Sequence, residues 1–285
     1  MSISTLHNTD TILALLQIER LDEDRFRGQS HFMGSRNVFG GQVLGQSLHA
    51  ATATVEGRRP HSMHSLFLLP GNYRRPIEYQ VERIRDGGSF STRRVLATQD
   101  SKLLFVMSAS FQMAEDGFSH QRAAPEVRAP ESAPSLVEQW QERAHAAGRE
   151  FSPVPVDLRA AFLSAPNQPG IRQVWSRAPQ RLPDDPSMHE TLFAYVSDYG
   201  LLWTAMQPHG IRFGDPRLQM ASLDHAIWFH RPFRMDEWLL FDSESPSASS
   251  GRGLSTAQVY NAAGVLVATV AQEGLIRMRG EKLPR

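Results

Sequence analysis

Apolar and polar residues alternate along this chain in two rhythms, one helical and one with the two-residue period of strands. From Thr191 to Met206, TLFAYVSDYGLLWTAM, apolar and small residues cover every side of a helical repeat, and Asp198 near the middle is the single charge. A helix without a polar face is buried, so this carboxylate cannot reach water by rotation and must be compensated where it lies. Gly200 allows another backbone or a substrate to come close, and Gln207, Pro208, His209 and Gly210 end the helix. A second helix is predicted over Asn37 to Val55, after a turn containing Gly34. Val38, Phe39, Val43, Leu44 and Leu48 are its apolar positions, and Gly40, Gly41 and Gly45 permit tight packing on a sheet. Near the start, Asn8 or Thr9 caps a short amphipathic helix with Ile12, Leu13, Leu15, Leu16 and Ile18 on one face, before the charged LDEDRFRG.

Residues 61–113 read as four strands, HSMHSLFLLP, PIEYQVERIRD, SFSTRRVLATQ and LLFVMSASFQM, separated by turn-forming segments as in an antiparallel meander. The Pro-rich stretch that follows breaks the pattern and holds one short helix around Leu136 to Ala146. Short strands are expected near Val156 to Phe162 and Ile171 to Ala178, then the buried helix, then SLDHAIWFHRPF, EWLLFDSES, LSTAQVYN and GVLVATVAQEGLIR. One buried helix followed by four strands therefore occurs twice. Gln112 lies 48 positions after His64, and Glu273 lies 48 after His225. The expected class is α+β, with two tandem halves that each wrap a curved antiparallel sheet around one buried helix. The boundaries that follow are 1–118 for the first half, 119–155 for a connecting segment with its helix, and 156–285 for the second half with Asp198.

Composition narrows the chemistry. Thirty basic residues balance thirty acidic ones, which gives no electrostatic reason for a nucleic-acid or anionic-membrane partner. The absence of cysteine rules out disulfides, thiolate catalysis and cysteine metal sites, and fits a reducing cytoplasm. No leader pattern, no membrane-length apolar run and no peroxisomal address in the closing EKLPR are read. His61 and His64 stand three apart in a strand, on opposite faces, so no metal site is expected there. GGQVLG lacks the GxGxxG spacing and the Lys-Ser/Thr of nucleotide loops, and GQSLH lacks the second glycine of a serine-hydrolase elbow.

VFGGQ at Val38 to Gln42, DGGSFSTRRV at Asp86 to Val95, SDYG around Asp198, QPHG at Gln207, LDHAIWFHRPF at Leu223 and AQEG at Ala271 together resemble the acyl-CoA thioesterase II family of the TesB type. That resemblance implies a double hot-dog fold and hydrolysis of acyl-CoA thioesters to free fatty acid and coenzyme A, with no cofactor. It also implies that Asp198, Ser222 and Gln272 orient and activate the attacking water. Ser222 stands where many members have Thr, which keeps the hydroxyl, and Leu69 stands where the family often has Arg. Elementary chemistry is compatible: a thioester needs a positioned water, a base and a carbonyl polariser, without a metal or covalent nucleophile. Taken alone, Asp198 reads equally as a structural acceptor, Ser222 as an ordinary strand serine and Gln272 as an edge residue; their weight comes from the set. Substrate-binding candidates are Gly40, Gly41 and Gln42, with Arg93, Arg94 and Arg252 facing the coenzyme A phosphates. The alternatives are a hot-dog hydratase, which wants a His partnered with the helical carboxylate, and a non-enzymatic acyl-CoA binding module. Exposed sheet edges and faces lead to an expected homodimer or homotetramer.

Overall fold

The computed structural model describes residues 9–33, 35, 37–146, 148, 154–162, 170–211, 215 and 217–280; the expectations at Asn8, Gly34 and EKLPR lie outside them. In chain order come α1 (Thr9–Leu16), β1 (Glu19–Arg20), β2 (Arg25–Gly28), α2 (Gly40–Thr52), β3 (Arg59–Phe67), β4 (Ile77–Asp86), β5 (Phe90–Gln99) and β6 (Lys102–Gln112). Then follow α3 (Leu136–Ala146), β7 (Asp157–Ala160), β8 (Ile171–Arg177), α4 (Pro186–Ser197), α5 (Leu201–Thr204), β9 (Leu218–Ser222), β10 (Asp224–Phe229), β11 (Leu239–Ser249), β12 (Arg252–Asn261) and β13 (Leu266–Met278).

The strands form one antiparallel sheet in the order β1-β2-β4-β5-β6-β3-β10-β13-β12-β11-β8-β7, with β9 paired to β13. Either side of the β3–β10 ladder the order runs outward in matching sequence, β6-β5-β4 on one side and β13-β12-β11 on the other. The repeat read from the sequence is therefore a two-fold arrangement, and its axis passes between β3 and β10, where Ala226 lies opposite His64. Buried and more exposed residues alternate along β5 and β12, which turns one face of each strand onto the helices.

Helices α2 and α4 lie side by side in opposite directions inside this sheet, and glycines set how closely. A Cβ on Gly41 would fall 2.2 Å from the backbone oxygen of Tyr195, and one on Gly45 would fall 3.1 Å from that of Thr191. The two glycines are four residues apart on one helix face, opposite residues four apart on the other. The packing of α2 that the glycines foretold is thus against its sister helix as well as the sheet.

Two expectations need correction. The predicted helix through Asp198 is interrupted: α4 ends at Ser197, Asp198 is its C-cap, and Gly200 is left-handed at φ 76° before α5 begins. Glycine two residues past the cap supplies a conformation that side-chain-bearing residues adopt at a cost. Residues Leu218–Ser222 also form their own strand, β9, separate from β10. The charged LDEDRFRG segment supplies the turn and second strand of the hairpin β1–β2, stapled by Asp22 accepting from the Arg25 side chain and backbone. Thr9 is the first residue of α1, and its hydroxyl donates to the Pro155 carbonyl.

Candidate active site

Three elements converge on Asp198. The start of α2 is the first: Phe39 is its N-cap and offers no side-chain acceptor, yet the Gly41 N–H finds one by donating to Asp198 Oδ2 at 2.9 Å. Asp198 thus caps α2 from the other half of the molecule, where the positive end of the helix dipole favours a carboxylate. Gly40 makes room for it, since a Cβ there would stand 2.8 Å from Asp198 Oδ2. The second element is β13, whose Gln272 is 1 % exposed and donates through Nε2 to Asp198 Oδ1 at 2.6 Å and to Ser222 Oγ at 2.9 Å. The third is β9, held to β13 with Ser222 opposite Gly274. Gly274 admits the side chain of Leu202 from α5, which a Cβ would meet at 2.6 Å.

Both donors of the Gln272 amide are used by Asp198 and Ser222, and its Oε1 is left buried without a partner. Ser222, accepting from Gln272, keeps its own proton to donate. Burial pushes the pKa of Asp198 up to about 6, against the hydrogen bonds from Gln272, Gly41 and Ser222 that hold it down. A carboxylate with that value is ionised at neutral pH and is still basic enough to accept a proton from water. Beside it Phe39, Tyr195 and Tyr199 form an aromatic wall, with ring centroids 5.2 Å (Phe39 to Tyr195) and 4.8 Å (Phe39 to Tyr199) apart. The tyrosine hydroxyls lie 3.3 Å from each other, and burial raises both pKa values.

Asp198, Ser222, Gln272, Gly40 and Gly41 therefore meet in one place. The other candidates do not join them. Gln42 is fully buried and donates to the Gln29 carbonyl, Ser30 Oγ and Gln46 Oε1, tying α2 to the segment before it. Arg93 is 2 % exposed and donates to the Thr54 hydroxyl and carbonyl, the Arg85 carbonyl and Asp86. Those partners gather at the far end of α2, about 20 Å from Gly40 at 1.5 Å per helical residue. A guanidinium so enclosed is not available to a substrate phosphate, which corrects that expectation. Arg94 faces solvent and pairs with Glu82, while Arg252 pairs with Glu273, the neighbour of Gln272, at 3.1 Å. His225 bonds through Nε2 to Ser197 Oγ at 2.9 Å, next to Asp198 in the chain, and burial pushes its pKa down to about 3. His64 packs edge-on against Trp228, and His61 meets Ser110 Oγ.

Sequence reasoning missed that Gly41 serves the carboxylate through its backbone, and it missed the aromatic wall. The signals were present in the spacing of Tyr195 and Tyr199 on one face and in the SDYG sequence as a helix stop.

Comparison with known proteins agrees with this architecture. Residues 29–112 match the acyl-CoA thioesterase N-terminal domain and residues 155–275 match the acyl-CoA thioesterase family. Acyl-CoA thioesterase 2 of Haemophilus influenzae is 39 % identical over 284 residues, covering 94 % of this chain and 97 % of the relative. The crystal structure of an acyl-CoA thioesterase II, TesB2, from Mycobacterium marinum is 41 % identical and superposes with a TM-score of 0.80 over 96 % of this chain and 99 % of that one. A hot-dog-fold protein from Alicyclobacillus acidocaldarius, 18 % identical, shares the fold with a TM-score of 0.76 over 93 % of this chain and 97 % of that one. With a double hot-dog fold and matches running through both halves, this chain belongs to the acyl-CoA thioesterase family.

Proposed function

We propose that this acyl-CoA thioesterase cleaves its substrate by direct attack of water, with Asp198 as general base and Gln272 and Ser222 holding base and water in register. The observation that carries the reading is the Gln272 amide bridging Asp198 and Ser222. The ionised carboxylate takes a proton from water as its oxygen attacks the thioester carbon. The oxyanion that forms lies by the N-terminal turn of α2, where the positive end of the helix dipole favours negative charge, the Gly41 N–H itself being taken by Asp198. Collapse then expels coenzyme A as a thiolate, a good leaving group, and no bond to the protein forms. Arg252, opposite Leu275 in the β12–β13 ladder and paired with Glu273, is the remaining candidate for a coenzyme A phosphate. A hydratase reading is disfavoured because His225 is bonded to Ser197 instead of Asp198.

The two halves are assigned to residues 1–118 and 156–285, with 119–155 between them. Position Gln272 corresponds to Phe111 at the repeat offset of 161 that also relates His225 to His64, so the first half has no amide there. Leu66, Leu68, Leu69, Met220 and Trp228 are exposed on or beside the central strands, which supports a homodimer or homotetramer covering them. Among the described residues no helix is long and apolar enough to cross a membrane, and the cysteine-free composition suits the cytoplasm. The mechanism is tested by rapid-quench mass spectrometry during turnover. No acyl-protein adduct is expected, and a trapped one sinks the direct-water route.

A further inference from the structure

Arg172, on β8, is a buried cation with no counter-charge among the described residues. It is 8 % exposed, and among the described residues no hydrogen bond or ion pair meets its guanidinium. Burial alone depresses its pKa, to about 10. Arg93 and Glu190, also buried, are each matched by an opposite charge, Asp86 and Arg59, which offsets the cost of desolvating an ion.

The position of this cation is specific. Arg172 lies opposite Ser243 in the β8–β11 ladder, and its guanidinium packs on Gly200, where a Cβ would stand 3.0 Å from Nη1. It therefore sits under the break between α4 and α5, two residues from the Asp198 cap. Inward-facing polar groups lead from it to Gln272: Ser243 is 2 % exposed, and Ser255, fully buried, lies directly across from Gln272 in the β12–β13 ladder. Ser255 Oγ, Gln272 Oε1 and, on α5, Thr204 Oγ1 are all buried without a partner. From β13 to β8 is three strand spacings, about 14 Å.

We propose that Arg172 is the receiving group of an anionic subsite that binds the carboxylate at the far end of an acyl chain, so that the enzyme favours dicarboxylic acyl-CoA thioesters. The planar guanidinium fork matches a carboxylate bidentately, and one negative charge neutralises one positive charge. The cation is interior, on the helix side of the sheet, as the end of a threaded acyl chain would be. The inference rests on Asp198 and Gln272 marking the thioester position.

The test compares kcat/KM for acyl-CoA thioesters in pairs of equal chain length, one ending in methyl and one in carboxylate, on the parent, Arg172→Met and Arg172→Lys. The parent is expected to prefer the carboxylate-ended member within one band of chain lengths. Arg172→Met should lose about tenfold or more on that member, the scale for an unpaired polar contact, with little change on its methyl-ended partner, and Arg172→Lys should retain part of the preference. A parent that prefers the carboxylate at no chain length overturns the proposal, whatever the variants do. Equal losses on both members in Arg172→Met, abolished when the 3′-phosphate of coenzyme A is removed, would assign the cation to that phosphate and also overturn it. Failure of the Asp198 reading is distinct: Asp198→Asn would then turn over both members normally, while the parent's preference between them stood.

Discussion

Asp198 carries opposing demands. Its pKa near 6 lies above the unfolded value of 3.8, so folding favours the protonated form; the associated stability is full below about pH 4 and is lost as pH rises through 6. Asp198→Asn keeps an acceptor for the Gly41 N–H and removes the charge. At pH 8 it should stabilise the fold in urea titrations by at most about 3 kcal/mol, the equivalent of the shift, with the gain vanishing below pH 4. Turnover should drop by about 10² to 10⁴. In the parent kcat/KM should rise with pH through about 6 and then level, because only the ionised base can take a proton; a profile flat from pH 5 to 8 would remove Asp198 from that role. Gln272→Ala should cost on the order of 10² in turnover, and Ser222→Ala less, while Ser222→Thr keeps the hydroxyl and most activity. Combined losses should fall short of the product, since the groups hold one water. Of these residues Asp198 was legible as a lone charge in an apolar run. Ser222 and Gln272 were not, because nothing local distinguishes them, and only the family resemblance singled them out.

The antiparallel α2–α4 pair is the element on which the site depends. Gly41→Ala would drive a methyl group into the Tyr195 carbonyl oxygen, and backbone there cannot swing aside as a side chain can. We expect a loss of about 1–3 kcal/mol, measured by thermal or urea unfolding. A fall in turnover should accompany it, because the same shift pulls the Gly41 N–H off Asp198. Both helices were legible from their apolar runs and glycines, and so were eight long strands, but not their order: β3 pairs with β6 and β10 with β13, so neither half is the simple meander that the strand spacing suggested. The interruption after Ser197 was hidden because apolar residues continue on both sides of it, so periodicity alone reads through the break. The β1–β2 hairpin escaped because it is held by Asp22 and Arg25 side chains, and charged strands carry no alternating signal.

At the scale of the whole molecule the halves share a sheet, a helix pair and an ion pair. Arg59 of β3 donates through Nε and Nη2 to Glu190 Oε1 of α4 at 3.0 and 2.7 Å. Burial raises the Glu190 pKa to about 7 against the pull of Arg59. Arg59→Met should cost about 2–3 kcal/mol, less than for a fully buried pair because the arginine is half exposed. The deficit should be largest above pH 7, where Glu190 is charged, and shrink toward pH 5; adding Glu190→Gln should recover much of it in a double-mutant cycle. With β3 and β10 paired, calorimetry should give one unfolding transition, and two separable ones would contradict so joined a structure. Sedimentation should give a species heavier than one 32.0 kDa chain, through the exposed central residues, since the outer edges β1 and β7 are short and offer little to pair with. The two-fold repeat was legible in the 48-residue spacing. The β3–β10 seam was not, because period-two patterning records which face a strand buries and is silent on its neighbour. The reach of Asp198 across that seam to Gly41 also orders events during synthesis. The first half leaves the ribosome with α2 lacking the acceptor for its opening turn, and Asp198 arrives well before the strand bearing Gln272. A nascent chain therefore holds no tuned base until β13 has docked, long after Asp198 itself has been made.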